Sequence, residues 1–263
     1  NKKDFFWIGK RLTPEEKDQF WLMGNKALVF DAKQSRIYPQ QNLFSHILGQ
    51  TDDTNTGISG VEKFFDENLE SKDKINLPLK LTLDSNLQHL IRSELLKAEK
   101  DFHNIGSGAI LMDVEDGKIL SLVSLPDYDL NKRVSIDDSN FTNKITLDVY
   151  EFGSVFKTFT VAAGLEHKII QSNTIFKNLK NSLTCDKYTI SEHDKLPKNL
   201  SVEQILVQSS NIGAVRIAQK IGIEKYKSFL NKLGLFDTIN FDLEEIGTPI
   251  PFNWGKCKLA TSF

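Results

Sequence analysis

Cysteine is nearly missing from this 263-residue chain, and the two present, Cys185 and Cys257, stand far apart. They form no Cys-x-x-Cys pair and permit at most one disulfide, so a stapled mini-fold is excluded; two free thiols is the simpler expectation. The five histidines fall at no His-x-x-x-His or comparable spacing, so no metal and no cofactor are assigned. An excess of one charge is also lacking. Thirty-three basic residues against 35 acidic ones leave a net charge of -2, which gives no pull toward nucleic acid. Arginine is scarce beside lysine, which weakens the case for planar forks that clamp phosphate or carboxylate. No long uncharged apolar run crosses these residues, so none of them is expected to span a membrane. The polar opening Asn1-Lys2-Lys3-Asp4 does not read as a signal peptide.

What is present is ordinary globular material, 40% apolar and 26% charged. The length suits one large domain or two modest ones. The first 80 or so residues are loop-rich and carry no catalytic spacing; they read as a supporting module. Within them Thr13 is expected to cap a helix with Pro14 at its first position.

From Leu83 the periodicity sharpens. Leu83, Leu87, Leu90, Ile91, Leu95, Ala98 and Phe102 recur at helical spacing, with Asp84 as N-cap. Gly108–Val114 and Ile119–Val123 flank an Asp116-Gly117 turn and predict a β-hairpin. Both runs are nearly continuous in apolar residues, so both faces of the hairpin are expected to be covered. A helix opening at Gly153 has apolar residues around its whole circumference, the pattern of a helix inside a domain. Ser201 and Gln204 form a capping box, and a further helix runs from about Ile212 to Ile221 and stops at Gly222. A helix, then strands, then more helices predicts an α+β domain.

Two spacings carry chemistry. Ser154 and Lys157, three apart, stack on one helical face within hydrogen-bonding reach. Serine is a weak nucleophile until a base takes its proton, and a neutral amine can be that base. An ordinary lysine is neutral in only about one molecule in 2,500 at pH 7. Burial beside the positive end of a helix favours the neutral form. Such spacings also arise by chance; Ser71–Lys74 is another, in a charged stretch that reads as solvated surface. Context separates the two, because a lysine on the first turn of an apolar helix is costly without a partner or a task. Ser209-Ser210-Asn211 is the chain's one Ser-x-Asn. Alone it reads rather as a polar turn whose asparagine caps a helix. Together with Ser-x-x-Lys it matches two of the three motifs of penicillin-recognising serine enzymes.

On these residues the chain resembles the class B penicillin-binding proteins of the division type, peptidoglycan D,D-transpeptidases of the FtsI kind. The nucleophile segment is Asp148-Val149-Tyr150-Glu151-Phe152-Gly153-Ser154-Val155-Phe156-Lys157-Thr158-Phe159-Thr160, with Phe152 where the family usually has proline. The second motif is Ser209-Ser210-Asn211-Ile212-Gly213. Phe6–Thr13, Arg36-Ile37-Tyr38-Pro39, His46-Ile47-Leu48-Gly49 and Gly57–Glu62 are similar to the pedestal that precedes the catalytic domain. Glu245-Ile246-Gly247 and Ala260–Phe263 are similar to the stretch just before the last catalytic strands.

The resemblance implies a pedestal or dimerisation-type module at residues 1–80 and a C-terminally incomplete transpeptidase domain at 81–263. It implies Ser154 as nucleophile, Lys157 as base, Ser209 as proton relay and Asn211 as the residue that holds the substrate amide. The substrate would be a peptidoglycan stem peptide ending in D-Ala-D-Ala, with β-lactam antibiotics as trapping mimics. Division proteins, among them a membrane glycosyltransferase, would be partners. The site of action would be the periplasmic side of the bacterial inner membrane, behind an N-terminal anchor not contained in these residues.

The family's third motif, Lys-Thr-Gly or Lys-Ser-Gly, does not occur in the 263 residues. It contributes one oxyanion-hole donor, worth about 2.7–4 kcal/mol of transition-state stabilisation. The polypeptide as written is therefore expected to acylate poorly and not to turn over. Three neighbouring readings are an elongation-type relative, a serine β-lactamase or β-lactam sensor, and a non-catalytic docking fragment.

Overall fold

The computed structural model of the chain describes residues 5–9, 12, 14–32, 35–70, 78–132, 138–185, 188–252 and 254. Thr13, Ser71–Lys74, Cys257 and Ala260–Phe263 lie outside the described residues. Two compact units emerge, one of residues 1–146 with 241–245, the other of 147–240 with 246–263. This cut differs from the 80/81 boundary expected from sequence, because the helix and hairpin that follow residue 80 pack with the N-terminal stretch.

The first unit holds α1 (Pro14–Leu22), α2 (Ser45–Leu48), α3 (Gly60–Phe64), α4 (Asp66–Glu70), α5 (Ser85–Phe102) and the antiparallel pair β1 (Ser107–Met112) and β2 (Ile119–Leu125). Pro14 opens α1, where its missing N–H costs nothing. Asp84 caps α5 as expected, accepting from the N–H groups of Asn86 and Leu87 at 2.8 and 3.0 Å. The apolar stripe of α5 is only half-buried at Leu87, Ile91, Leu95 and Ala98, while Leu90 and Phe102 face solvent. Its one fully buried residue is polar: Gln88.

The hairpin forms where predicted, in the register Gly108↔Ser124 and Ile110↔Leu122. Gly117 takes the left-handed conformation that the turn needs, at φ 75°. The expectation that both faces are covered is corrected for β1. Its residues alternate between half-buried and exposed, and Ile110 and Met112 are about half exposed. β2 does run through the interior from Ser121 to Leu125. A continuous apolar run could not reveal which of the two strands is the covered one.

The second unit holds α6 (Lys157–Glu166), β3 (Ile175–Phe176), β4 (Ser182–Cys185), β5 (Tyr188–Ser191), β6 (Leu200–Ser201), α7 (Val202–Val207), α8 (Asn211–Ile221) and α9 (Ile223–Lys232). β3 pairs with β6 and β4 with β5, both antiparallel, so small sheets and packed helices share the unit. The architecture is α+β. Its core joins Ala163 of α6, Ile205 of α7, Val215 and Ile217 of α8, and Tyr226 and Leu230 of α9. Each large aliphatic chain buried there contributes about 1.5–3 kcal/mol. Helices α7 and α8 approach closely at Gly213, where a Cβ would stand 2.6 Å from the Ile205 side chain. The Tyr226 and Thr160 hydroxyls, 2.8 Å apart, tie α9 to α6. The capping box is present in full at Ser201 and Gln204, and Gly222 ends α8 at φ 85°.

The helix expected to open at Gly153 begins instead as a 3-10 turn over Gly153–Phe156, and α6 starts at Lys157. Phe156, Lys157, Thr160, Val161, Ala163 and Gly164 are buried, but Val155 and Leu165 reach the surface, so the apolar circumference is only partly enclosed. Phe152, where a proline was expected by resemblance, has φ -69°, the value a proline ring would fix. A proline could adopt the same φ at this position.

Candidate active site

Ser154 sits on the 3-10 turn and Lys157 on the first residue of α6, so their side chains share one face as the spacing predicts. Ser154 is exposed, whereas Lys157 is 1% exposed, the second-largest side chain among the fully buried ones described. From the other side come Ser209, in the turn after α7, and Asn211, the first residue of α8. All four sequence-predicted residues therefore meet at one point, the Lys157 amine.

The geometry there is tight. Lys157 Nζ lies 3.2 Å from Ser154 Oγ, 2.9 Å from Ser209 Oγ, 2.6 Å from the Ser209 carbonyl oxygen and 2.6 Å from Asn211 Oδ1. Four oxygens surround a nitrogen that has three positions left after its bond to Cε. The Ser209 carbonyl and Asn211 Oδ1 can only accept. They take two N–H groups whatever the charge of the amine. The third position faces both hydroxyls and can serve only one of them at a time. In the neutral amine that position is a lone pair able to receive the Ser154 proton; in the ammonium it holds a proton that Ser209 Oγ can receive.

The neutral amine is easier to reach here than in an exposed lysine. Desolvation pulls the Lys157 pKa below its ordinary 10.5, and the carboxylate of Glu192 opposes that shift. Lys157 also stands at the positive end of α6, which disfavours the ammonium further. Tyr226 of α9 reaches Thr160 and not Lys157.

Local sequence explains how the second motif is aimed. Ser209 adopts the left-handed region at φ 53°, which turns the chain sharply between α7 and α8 and directs its carbonyl at Lys157. Ser210, not Asn211, is the N-cap of α8, and its Oγ accepts from the Gly213 N–H at 2.9 Å. That leaves the Asn211 amide free for other work. Its Oδ1 accepts from Lys157, and its Nδ2 donates to the Ser191 carbonyl at 2.8 Å, so the amide cannot flip without losing both bonds.

One residue escaped the reading of the sequence. Glu192, just past β5, accepts from Ser210 Oγ at 2.6 Å, the Asn211 N–H at 2.7 Å and the Ile212 N–H at 3.1 Å. Nothing in its neighbourhood announces this, since its partners lie 18 to 20 residues on. The available signal was indirect: the first N–H groups of a helix need acceptors, and a carboxylate is the best of them.

Among the described residues no three metal-ligating side chains gather, and no helix is long and apolar enough to cross a membrane.

Three comparisons bear on this arrangement. The family described as penicillin binding protein transpeptidase domain matches residues 107–262. A probable peptidoglycan D,D-transpeptidase FtsI of Caulobacter vibrioides is 30% identical over 255 residues, 96% of this chain and 43% of its own length. The probable peptidoglycan D,D-transpeptidase PenA of Neisseria meningitidis is 27% identical over 89% of this chain and 44% of its own. Among solved structures, the transpeptidase domain of penicillin-binding protein 3 from Burkholderia pseudomallei is 27% identical with a TM-score of 0.58, covering 69% of this chain and 51% of that one. Penicillin-binding protein 3 of Mycobacterium tuberculosis, at 21% identity, shares the fold with a TM-score of 0.73 over 86% of this chain and 53% of its own. The chain thus spans somewhat less than half the length of the curated relatives named here.

Proposed function

The chain belongs to the penicillin-binding protein transpeptidase family, and we propose that it carries the acylating centre of a serine D,D-transpeptidase that cross-links peptidoglycan stem peptides during cell division. The observation that carries the proposal is the buried Lys157 amine within reach of both Ser154 Oγ and Ser209 Oγ.

The steps follow from the one position on Nζ that the Ser209 carbonyl and Asn211 Oδ1 leave to the hydroxyls. Ser154 gives its proton to the Lys157 lone pair while its Oγ attacks the carbonyl carbon of the penultimate D-alanine. The tetrahedral adduct collapses, the C–N bond breaks, and the proton now on Lys157 passes through the Ser209 hydroxyl to the departing D-alanine amine. An ester on Ser154 remains. Asn211 holds the substrate amide near this relay. The amine of a neighbouring stem peptide then attacks the ester, its proton returns along the same path, and the cross-link forms as Ser154 is released. A base positioned in this way contributes about 10²–10⁴-fold. A β-lactam carbonyl would be attacked alike, and its ring opening leaves the ester in place.

Residues 1–80 are proposed as a pedestal-type module and 81–263 as transpeptidase-domain sequence. The similarity of the pedestal segments to division-type relatives favours a periplasmic protein tethered to the inner membrane and working beside division proteins, among them a glycosyltransferase.

Labelling with a fluorescent penicillin tests the assignment. It is run on this chain and on a version extended through a Lys-Thr-Gly segment, each with a Ser154→Ala counterpart. We expect label on Ser154 in the extended protein and none in its Ser154→Ala variant. Label that persists in that variant overturns the nucleophile.

A further inference from the structure

The acceptors that hold the Lys157 amine belong to a turn that is itself held from outside. Ser209 and Asn211 sit at the start of α8, where the N–H groups of Asn211, Ile212 and Gly213 have no partners within the helix. Ser210 Oγ takes the third of these, and the Glu192 carboxylate takes the first two together with the Ser210 hydroxyl proton. The adjoining Ser191 carbonyl takes the Asn211 side-chain N–H. Glu192 has a firm footing of its own. Its N–H donates to the Asn181 carbonyl at 3.1 Å, one step beyond the Ser182↔Ser191 pair that ends the β4–β5 ladder. The open end of the hairpin thus grips the second motif by four hydrogen bonds.

Glu192 acts on Lys157 in two ways. It fixes the Ser209-Ser210-Asn211 turn, so that two acceptor-only oxygens occupy two positions of Nζ and leave the third for the hydroxyls. Its negative charge also bears on the amine. Around Lys157 the described groups are Ser154 on the preceding turn, Ser209 and Asn211 ahead of α8, and Glu192 at the hairpin end; Tyr226 faces Thr160 from α9. Glu192 is the charged one among them.

We propose that Glu192 is a positioning residue for the acylation reaction: its carboxylate locks the Ser-x-Asn turn against the β4–β5 hairpin and so keeps the Ser209 and Asn211 acceptors on the Lys157 amine. This deepens the transpeptidase reading and rests on it for its kinetic part.

The test uses two variants and two readouts. Glu192→Gln keeps the size of the side chain, removes the charge, and sets an NH2 group against a backbone donor. Glu192→Asp keeps the charge but draws it back by one methylene. In the 263-residue chain, the 13Cε resonance of Lys157 is followed against pH by NMR, a readout that needs no turnover. We expect its midpoint to fall in Glu192→Gln and to return toward the parent value in Glu192→Asp, because loss of a nearby anion disfavours the ammonium. In the version extended through Lys-Thr-Gly, the pH-plateau rate of penicillin acylation should drop at least tenfold in Glu192→Gln and less in Glu192→Asp. The acid limb of the Glu192→Gln profile should move to lower pH.

Parent-like midpoints in both variants overturn the proposal, and so do acylation rates within twofold of the parent. A lowered rate with an unmoved midpoint reduces Glu192 to a helix cap and overturns it too. If the parent carries no label at Ser154, the transpeptidase reading falls, while the titration still decides what Glu192 does to Lys157. Should Glu192→Gln not fold, Glu192→Ala takes its place: a rate and a midpoint both equal to the parent's contradict the proposal.

Discussion

Gln88 in the first unit and Lys157 in the second are each 1% exposed, and each touches four polar partners, yet their hydrogen-bond inventories differ. The Gln88 Nε2 donates to the carbonyls of Leu43 and Leu122 at 2.9 and 2.8 Å. Its Oε1 accepts from Ser121 Oγ at 2.7 Å and the Leu122 N–H at 3.0 Å. Two donors and two acceptors meet two acceptors and two donors, and no position is left over. Lys157 presents three positions to four oxygens. One hydroxyl is always unserved at the amine, and which one depends on where a proton sits. A closed inventory pins α5 to β2; an open one leaves a proton free to move. Burial and polarity alone do not distinguish the two, whereas counting positions does.

The sharpest way to break this contrast is to remove each side chain and read both activity and stability. Lys157→Met in the version extended through Lys-Thr-Gly should lower the rate of penicillin acylation by about 10²–10⁴-fold. Its Tm should stay within a few degrees of the parent, because escape from burying an amine offsets the two acceptors left unpaired. An acylation rate near the parent's would deny Lys157 the role of base. Gln88→Leu should do the reverse. It strands two carbonyls, an N–H and a hydroxyl, and is expected to cost at least about 3 kcal/mol, since each unpaired buried group costs about 1–3 kcal/mol. Thermal unfolding should register a fall of roughly 6–12 °C, with the rate of Ser154 labelling at low temperature unchanged. A stable Gln88→Leu would show that its four bonds do not decide the packing of α5 on β2.

The same contrast marks what could be read in the sequence. Features written within a few residues were legible. Asp84 caps α5, Ser201 and Gln204 box α7, Gly222 ends α8, and Ser154 and Lys157 meet because one helical turn joins them. The meeting of Ser209 and Asn211 with Lys157, across more than 50 residues, was legible through resemblance and not through spacing. Features that depend on what lies across the fold were not legible. Nothing around Gln88 or Glu192 in sequence names their partners, which sit on other elements. The exposure of Ile110 and Met112 was hidden because an apolar run says that a strand can be buried, not that something covers it. The opening of α6 as a 3-10 turn was likewise invisible, since Gly153–Phe156 fits either helix and tertiary packing chooses.

The central claim is that Lys157 is held as a proton acceptor, and a titration of its 13Cε resonance in the unaltered chain addresses it most directly. Burial lowers the folded-state pKa, so between that midpoint and the ordinary 10.5 the unfolded chain keeps a proton that the folded chain has released. The contribution of this group to stability therefore rises with pH across the window and is lost as pH falls through the folded midpoint. A midpoint clearly below 10.5, absent in Lys157→Met, is the predicted result. A midpoint at or above 10.5 would mean an ammonium held by neutral oxygens as a structural hydrogen-bond donor, with no lone pair for Ser154.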